Sequence, residues 1–176
     1  ARLAPARPMD PVPAEPIDNL AAELTAKRNL LAALAGPSIA LTVKTQGGAL
    51  PVRLTREDLT RVLVNLVKNS TEAMPEGGEI EVNLDEFHAG PAEAPWLVLK
   101  VEDSGAGISP AVLGRIFEAR FTTRSNGGID GRPAPNRGLG LSITRAIVEA
   151  AGGRIHAANR AQGGARIEIE LPVPAR

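Results

Sequence analysis

The chain has 176 residues, 43% of them hydrophobic but only 2% aromatic, and twenty basic residues balance twenty acidic ones. This length suits one sizeable, aliphatic core rather than two domains, and the zero net charge lacks the electrostatic footprint of a nucleic-acid binder. The lack of cysteine removes disulfide frameworks, thiolate metal sites and cysteine nucleophiles; no apolar run approaches the ~18 residues of a membrane span, and Ala1-Arg2-Leu3 is unlike a signal peptide.

Prolines at 5, 8, 11, 13 and 16 deny the first sixteen residues a continuous helix or central strand. Residues 1–16 therefore read as a linker or extended arm, and residues 17–176 as the domain. Leu20, Leu24, Leu30, Leu31 and Leu34 recur at helical spacing, with Asp18 or Asn19 as cap and Gly36-Pro37 as the stop. Residues 39–45 alternate apolar with polar, and Gly47-Gly48 turns them toward residues 49–54, which predicts a short hairpin.

Thr55, followed three residues later by Asp58, supplies a capping box. The helix that follows, to Met74, places Leu59, Val62, Leu63, Leu66, Val67 and Ala73 on an apolar face and Asn65, Asn69 and Glu72 along its margin. Carboxamides are costly to bury without partners, so this helix either lines a polar site with one edge or carries ordinary surface residues there. Strands are predicted over residues 79–84 and 96–101, the second running into Asp103-Ser104-Gly105-Ala106-Gly107. Ser109-Pro110 opens a short helix carrying Val112, Leu113 and Ile116.

Residues 118–137 are rich in glycine and charge and lack periodicity, and a stretch of this length reads as a functional lid or a disordered segment. A helix from Gly138 carries Leu139, Ile143, Ala146, Ile147 and Ala150 on its apolar face and ends at Gly152-Gly153. Two strands, over residues 154–158 and 165–171, finish the domain through a turn at Gly163-Gly164. Three main helices and a mixed, mostly antiparallel sheet predict an α+β two-layer sandwich.

Three stretches stand out, each of which alone could also be an ordinary feature: a surface helix edge, a turn, a loop-to-helix junction. One is the asparagine helix. Another is the acid with two glycines after a buried strand, where backbone can approach a flat ligand. The third is Asn136-Arg137-Gly138-Leu139-Gly140-Leu141, which opens a helix whose free N–H groups and dipole suit a polyphosphate.

In this order the stretches resemble the boxes of the catalytic ATP-binding domains of sensor histidine kinases, within the Bergerat-fold ATPases. Residues 62–74 look like the asparagine box and residues 103–107 like the first glycine box. Residues 116–124, ending Phe121-Thr122-Thr123-Arg124, are similar to the phenylalanine box of nitrogen-regulation-type kinases. Residues 138–141 resemble the second glycine box, and residues 163–165 the terminal glycine turn.

The resemblance implies that Asn65 and Asn69 hold Mg²⁺ and phosphate oxygens, the hard ligands that Mg²⁺ prefers. It implies that Asp103 accepts from the adenine amine, that Gly105 and Gly107, with Ile108 beside them, admit the base, and that Gly138, Leu139, Gly140 and Leu141 offer N–H groups to the triphosphate. Arg124 becomes a lid cation for the γ-phosphate, and Phe117 and Phe121 become lid anchors or, equally, core-packing residues. Asn136, where the family often has glycine, Arg120, at a position commonly aromatic, and the long insert 125–135 depart from the pattern and leave the lid geometry open.

The activity so implied is transfer of the ATP γ-phosphoryl group to a histidine on an N-terminal dimerisation domain, in partnership with a response regulator receiver domain. Neither His88 nor His156 lies in a helical acceptor context, so the acceptor is expected upstream of residue 1. Gyrase-type relatives carry a water-activating glutamate where Asn65 stands, which argues for a protein acceptor over water. The expectations extend to a homodimeric parent, a monomeric fragment and a cytoplasmic domain whose parent is either free or membrane-anchored. Two alternatives share the pocket: an ATP-binding regulatory module without phosphotransfer, and a serine-directed kinase of the anti-sigma type.

Overall fold

A computed structural model describes residues 15–118 and 137–174. In chain order the elements are α1 (Leu20–Ala26), α2 (Arg28–Ala35), β1 (Ile39–Gln46), α3 (Arg56–Glu72), β2 (Gly78–Phe87), β3 (Trp96–Asp103), α4 (Pro110–Leu113), α5 (Arg137–Ala150), β4 (Arg154–Asn159) and β5 (Ala165–Pro172). The described strands form one sheet in the order β1-β2-β3-β5-β4, parallel between β1 and β2 and antiparallel elsewhere. Helices pack on one of its faces, giving the expected two-layer α+β sandwich.

The core lies between the layers and is aliphatic. Along β3 the side chains alternate, with Leu97, Leu99 and Val101 buried and their neighbours half-exposed, as the two-residue period of a strand requires. Ile80, Val82 and Leu84 of β2 and Ile169 and Leu171 of β5 join them. From the helical layer α3 presents Leu59, Val62, Leu63, Leu66 and Val67, five of the six positions that periodicity assigns to its apolar face. Ala73, the sixth, caps the helix and is only half-buried. At the far end of β3, Trp96 pairs with Phe87 and Pro172, and the Arg154 guanidinium lies 5.3 Å from the centre of its ring.

Several local expectations are corrected. The hairpin over residues 39–54 does not form: β1 runs alongside β2, from Ile39 opposite Gly78 to Gln46 opposite Asp85. The return segment instead bonds to the chain before α1, through Ile17 N to Leu54 O at 2.8 Å and Val52 N to Ile17 O at 3.1 Å. Alternation specifies a buried face but not a partner, and a long-range pairing won over the local turn. The first helix is broken at Lys27, whose φ of −93° and ψ of −1° depart from helical values, although Asn19 caps it as read, accepting from the Ala22 amide at 3.0 Å. The short helix ends at Leu113, so Ile116 follows in a turn, still packed against the core.

Among the described side chains of α5 the buried face consists of Leu141, Thr144 and Val148, continued by Ala151, whereas Ile143 is 43% exposed. Of the expected stripe Ile147 packs against the core while Ile143 does not, because the buried Thr144 turns the inward face and does not count as apolar.

The turn after β1 is tied to β2 by Glu86, whose Oε1 accepts from the Gly48 amide at 2.8 Å while Oε2 lies 2.6 Å from His88 Nε2. The Gly48 hydrogen bond, and secondarily His88, holds the Glu86 carboxyl below its ordinary value of 4.5. A lowered folded-state value stabilises the fold above about pH 4.5, and that contribution is lost as pH falls through the folded value. Glu86→Gln is therefore expected to cost about 1 kcal/mol at neutral pH. The difference from wild type should close in urea unfolding as pH is lowered through the folded value of the carboxyl, and a gap that did not shrink with falling pH would refute the assignment.

Candidate functional site

The capping threonine, the helix period and the strand alternation together build one cavity. Thr55 Oγ1 accepts from the Asp58 amide at 3.1 Å and starts α3. From there Leu66, Asn69, Ser70 and Ala73, spaced i, i+3, i+4 and i+7, form a stripe lining a cavity of about 190 Å³. The alternation that buries Leu97, Leu99 and Val101 also turns Asp103 inward at the end of β3, where it is 4% exposed. Val112, Ile116, Leu141 and Ile167 supply further apolar wall, and Gly107, Ile108 and Ser109 form the loop side.

Asp103 is the charged member of this lining. Its Oδ1 accepts from the Gly105 amide at 2.9 Å and the Ala165 amide at 3.2 Å. Two donors on one oxygen fix the orientation of the carboxylate. On α3, Asn69 Nδ2 is buried without a hydrogen-bond partner among the described residues. Such an orphan donor costs about 1–3 kcal/mol, which an acceptor entering the cavity would offset.

Of the residues singled out from sequence, Asn69, Asp103, Gly107, Ile108 and Leu141 converge on the cavity. Asn65 sits one turn earlier on α3, half-exposed and outside the lining. Gly105 packs beneath the loop against the end of α3: a Cβ there would lie 3.0 Å from Ala73 O and 3.1 Å from Met74 Cγ. Gly138, Leu139 and Gly140 belong to the first turn of α5. Phe117 packs against the core. Arg120, Phe121, Arg124, Asn136 and the insert 125–135 lie outside the described residues.

Sequence reasoning missed Ser70, Val112 and Ile167 as lining, along with Ala165. Ser70 had a signal, since it stands four residues after Leu66 on the same helix stripe. Ala165 had none, because its contribution to Asp103 is a backbone N–H that any residue but proline would supply.

The arrangement suits a flat, largely apolar group that offers a hydrogen-bond donor at one edge, with polar atoms running toward Asn69. Among the described residues no group of three or more His, Asp or Glu side chains is placed to hold a metal by itself.

Comparison with known proteins points the same way. The profile of the family described as histidine kinase-, DNA gyrase B-, and HSP90-like ATPase matches residues 54–175. The sensor kinase CckA of Brucella abortus (strain 2308) is 36% identical over 154 residues, covering 82% of this chain and 16% of CckA. The sensor histidine kinase ZraS of Escherichia coli O157:H7 is 36% identical over 130 residues, covering 73% of this chain and 25% of ZraS. The chain thus spans 16% to 25% of the length of these two relatives.

Among solved structures, a nucleotide-free form of the catalytic domain of the histidine kinase ThkA superposes with a TM-score of 0.66 at 27% identity, covering 90% of this chain and 96% of that one. The mycobacterial sensor histidine kinase MprB shares the fold, with a TM-score of 0.67 at 24% identity over 93% of this chain and 99% of that one. With the profile match covering more than half of its residues, the chain belongs to the histidine kinase-, DNA gyrase B- and HSP90-like ATPase family.

Proposed function

We propose that this domain binds Mg-ATP and donates the γ-phosphoryl group to a histidine on a separate dimerisation domain of the same protein, in two-component signalling with a response regulator. The observation that carries the reading is the buried Asp103 carboxylate, pinned through Oδ1 by the Gly105 and Ala165 amides at the polar end of an apolar cavity. A fixed acceptor in an apolar slot discriminates a base that presents an amine from one that presents a carbonyl. The residues also fit the magnesium and phosphate end. Asn69 brings an unpartnered donor for a phosphate oxygen and a neutral oxygen for the metal, and Asn65 lies one turn away on the same helix.

In this reading the bound nucleotide supplies the transferable phosphoryl group, and the chain supplies position and charge neutralisation. Asp103 holds the base, and Leu66, Val112, Ile116 and Ile167 exclude water from it. Asn65 and Asn69 orient the metal and phosphates. The backbone of Gly138, Leu139, Gly140 and Leu141 offers N–H groups at the start of α5, and Arg124 neutralises the γ-phosphate. No general base is required, because the accepting imidazole is itself the nucleophile. His88 and His156 are both more than half exposed and engaged with Glu86 and Glu170 respectively, in keeping with an acceptor on another domain.

Among the described residues no helix is long and apolar enough to cross a membrane. A supply of ATP favours the cytoplasm as the compartment, and transfer to a dimerisation domain favours a homodimeric parent.

Calorimetry tests the binding half of the proposal. Wild type is expected to bind ATP in a Mg²⁺-dependent manner, and Asn69→Ala to lose tenfold or more in affinity, about 1.4 kcal/mol. The transfer half is tested by joining the domain to a dimerisation domain and following labelled phosphate onto histidine. Label on serine, or brisk ATP hydrolysis surviving Asn65→Ala, would overturn it.

A further inference from the structure

The turn between β4 and β5 grips both ends of the loop that shapes the cavity, through two consecutive residues not yet given a role. Asn159, the last residue of β4, accepts from the Ile108 amide through Oδ1 at 2.7 Å and donates from Nδ2 to the Ile108 carbonyl, also at 2.7 Å. Its carboxamide reproduces the donor and acceptor pair of a backbone peptide, so β4 in effect extends its pairing onto the loop. Only asparagine and glutamine side chains present the separate carbonyl oxygen and N–H group of an amide. Gly107 is matched to this contact: its φ is +83°, and a Cβ there would lie 2.9 Å from Asn159 Oδ1.

Arg160 holds the other end. Its Nη1 donates to the Asp103 carbonyl at 2.7 Å, and its own amide donates to Gly164 O at 2.8 Å, which closes the turn. The Arg160 side chain is 16% exposed, its Nε is buried without a hydrogen bond among the described residues, and Glu102 Oε2 lies 4.0 Å away. A charge-assisted hydrogen bond of this length from a mostly buried guanidinium fixes the Asp103 carbonyl against the turn.

We propose that Asn159 and Arg160 are positioning residues for base recognition. By fixing Ile108 and Asp103 to one rigid turn, they set the distance between the carboxylate that reads the edge of the base and the loop that covers its face. The idea rests on the ATP reading above. Recognition by hydrogen bonds in a closed slot tolerates displacements of only a fraction of an ångström, so loosening either anchor should blunt selectivity for the base rather than unfold the domain.

Hydrogen exchange in the nucleotide-free protein tests the clamp without any ligand. The Ile108 amide is expected to be protected in wild type and to exchange tenfold faster or more in Asn159→Ala, with the Leu99 amide unchanged. An Ile108 amide that exchanges like an open loop in wild type overturns the proposal, even if the variant fails to fold.

ATP and GTP affinities then test its purpose. Asn159→Ala and Arg160→Ala are each expected to weaken ATP about tenfold and to narrow the preference for ATP over GTP. A purely structural role would lower both affinities by the same factor, and that result, or wild-type ATP affinity in Asn159→Ala, defeats the proposal. Wild type that bound no ATP would instead defeat the functional reading, and the exchange result would still report on the clamp.

Discussion

Asp103→Asn is expected to remove tight ATP binding while leaving the fold standing. The native carboxylate uses Oδ1 for the Gly105 and Ala165 amides, and an asparagine can keep both bonds with its single oxygen. Doing so turns its NH₂ toward the place of the second carboxylate oxygen. An acceptor becomes a donor, so in the proposed binding mode the adenine amine would meet a donor in a cavity with few alternative partners. Losing one bond to a charged acceptor and leaving two donors facing each other amounts to about 3 kcal/mol, or roughly a hundredfold or more in affinity. Calorimetry with a parallel urea titration checks this. Affinity within about threefold of wild type, less than 1 kcal/mol, in a folded variant would take Asp103 out of base recognition.

Gly164→Ala is expected to damage the fold itself. Gly164 has a φ of +93°, and an added Cβ would fall 1.9 Å from the Asp103 carbonyl oxygen and 2.8 Å from its carbonyl carbon. These are backbone atoms on a central strand and cannot rotate away. Relief requires the turn to separate from β3, which breaks the Ala165 bond to Asp103 and the Arg160 bond to the same residue. A loss of more than about 3 kcal/mol follows from overpacking combined with broken buried bonds.

The neighbouring glycine provides the control. Gly163 has a similar φ of +103°, but open space surrounds the position of its Cβ, so Gly163→Ala should cost only the backbone strain, about 1–2 kcal/mol. Urea unfolding of the pair separates the steric effect from the conformational one, and equal small losses in both would contradict the close approach.

How far the sequence disclosed this molecule depended on whether a feature was local. The face of α3 was legible because five large aliphatic residues recur at its period, and its start because Thr55 and Asp58 form a local cap. Asp103 was legible as the acid ending an apolar strand. The pairing of β1 with β2 was not, because the two strands are separated by α3 and parallel partners leave no turn signature between them. The inward face of α5 was misassigned because Thr144, fully buried, carries a hydroxyl that hydropathy counts as polar. Asn159 carries no local signal, since what makes it matter is Ile108, fifty-one positions earlier in the chain.

Trp96 is the only tryptophan, and tyrosine is absent, so the ultraviolet emission of the domain comes from one indole. That indole stands at the opposite end of β3 from Asp103, about 23 Å away at ~3.3 Å per strand residue, beneath the Arg154 guanidinium. Its fluorescence should follow loss of the sheet while staying nearly silent to occupancy of the cavity. A single unmodified chromophore remote from the cavity thus gives an optical readout of folding, and it can be recorded in the same cuvette for each variant described above.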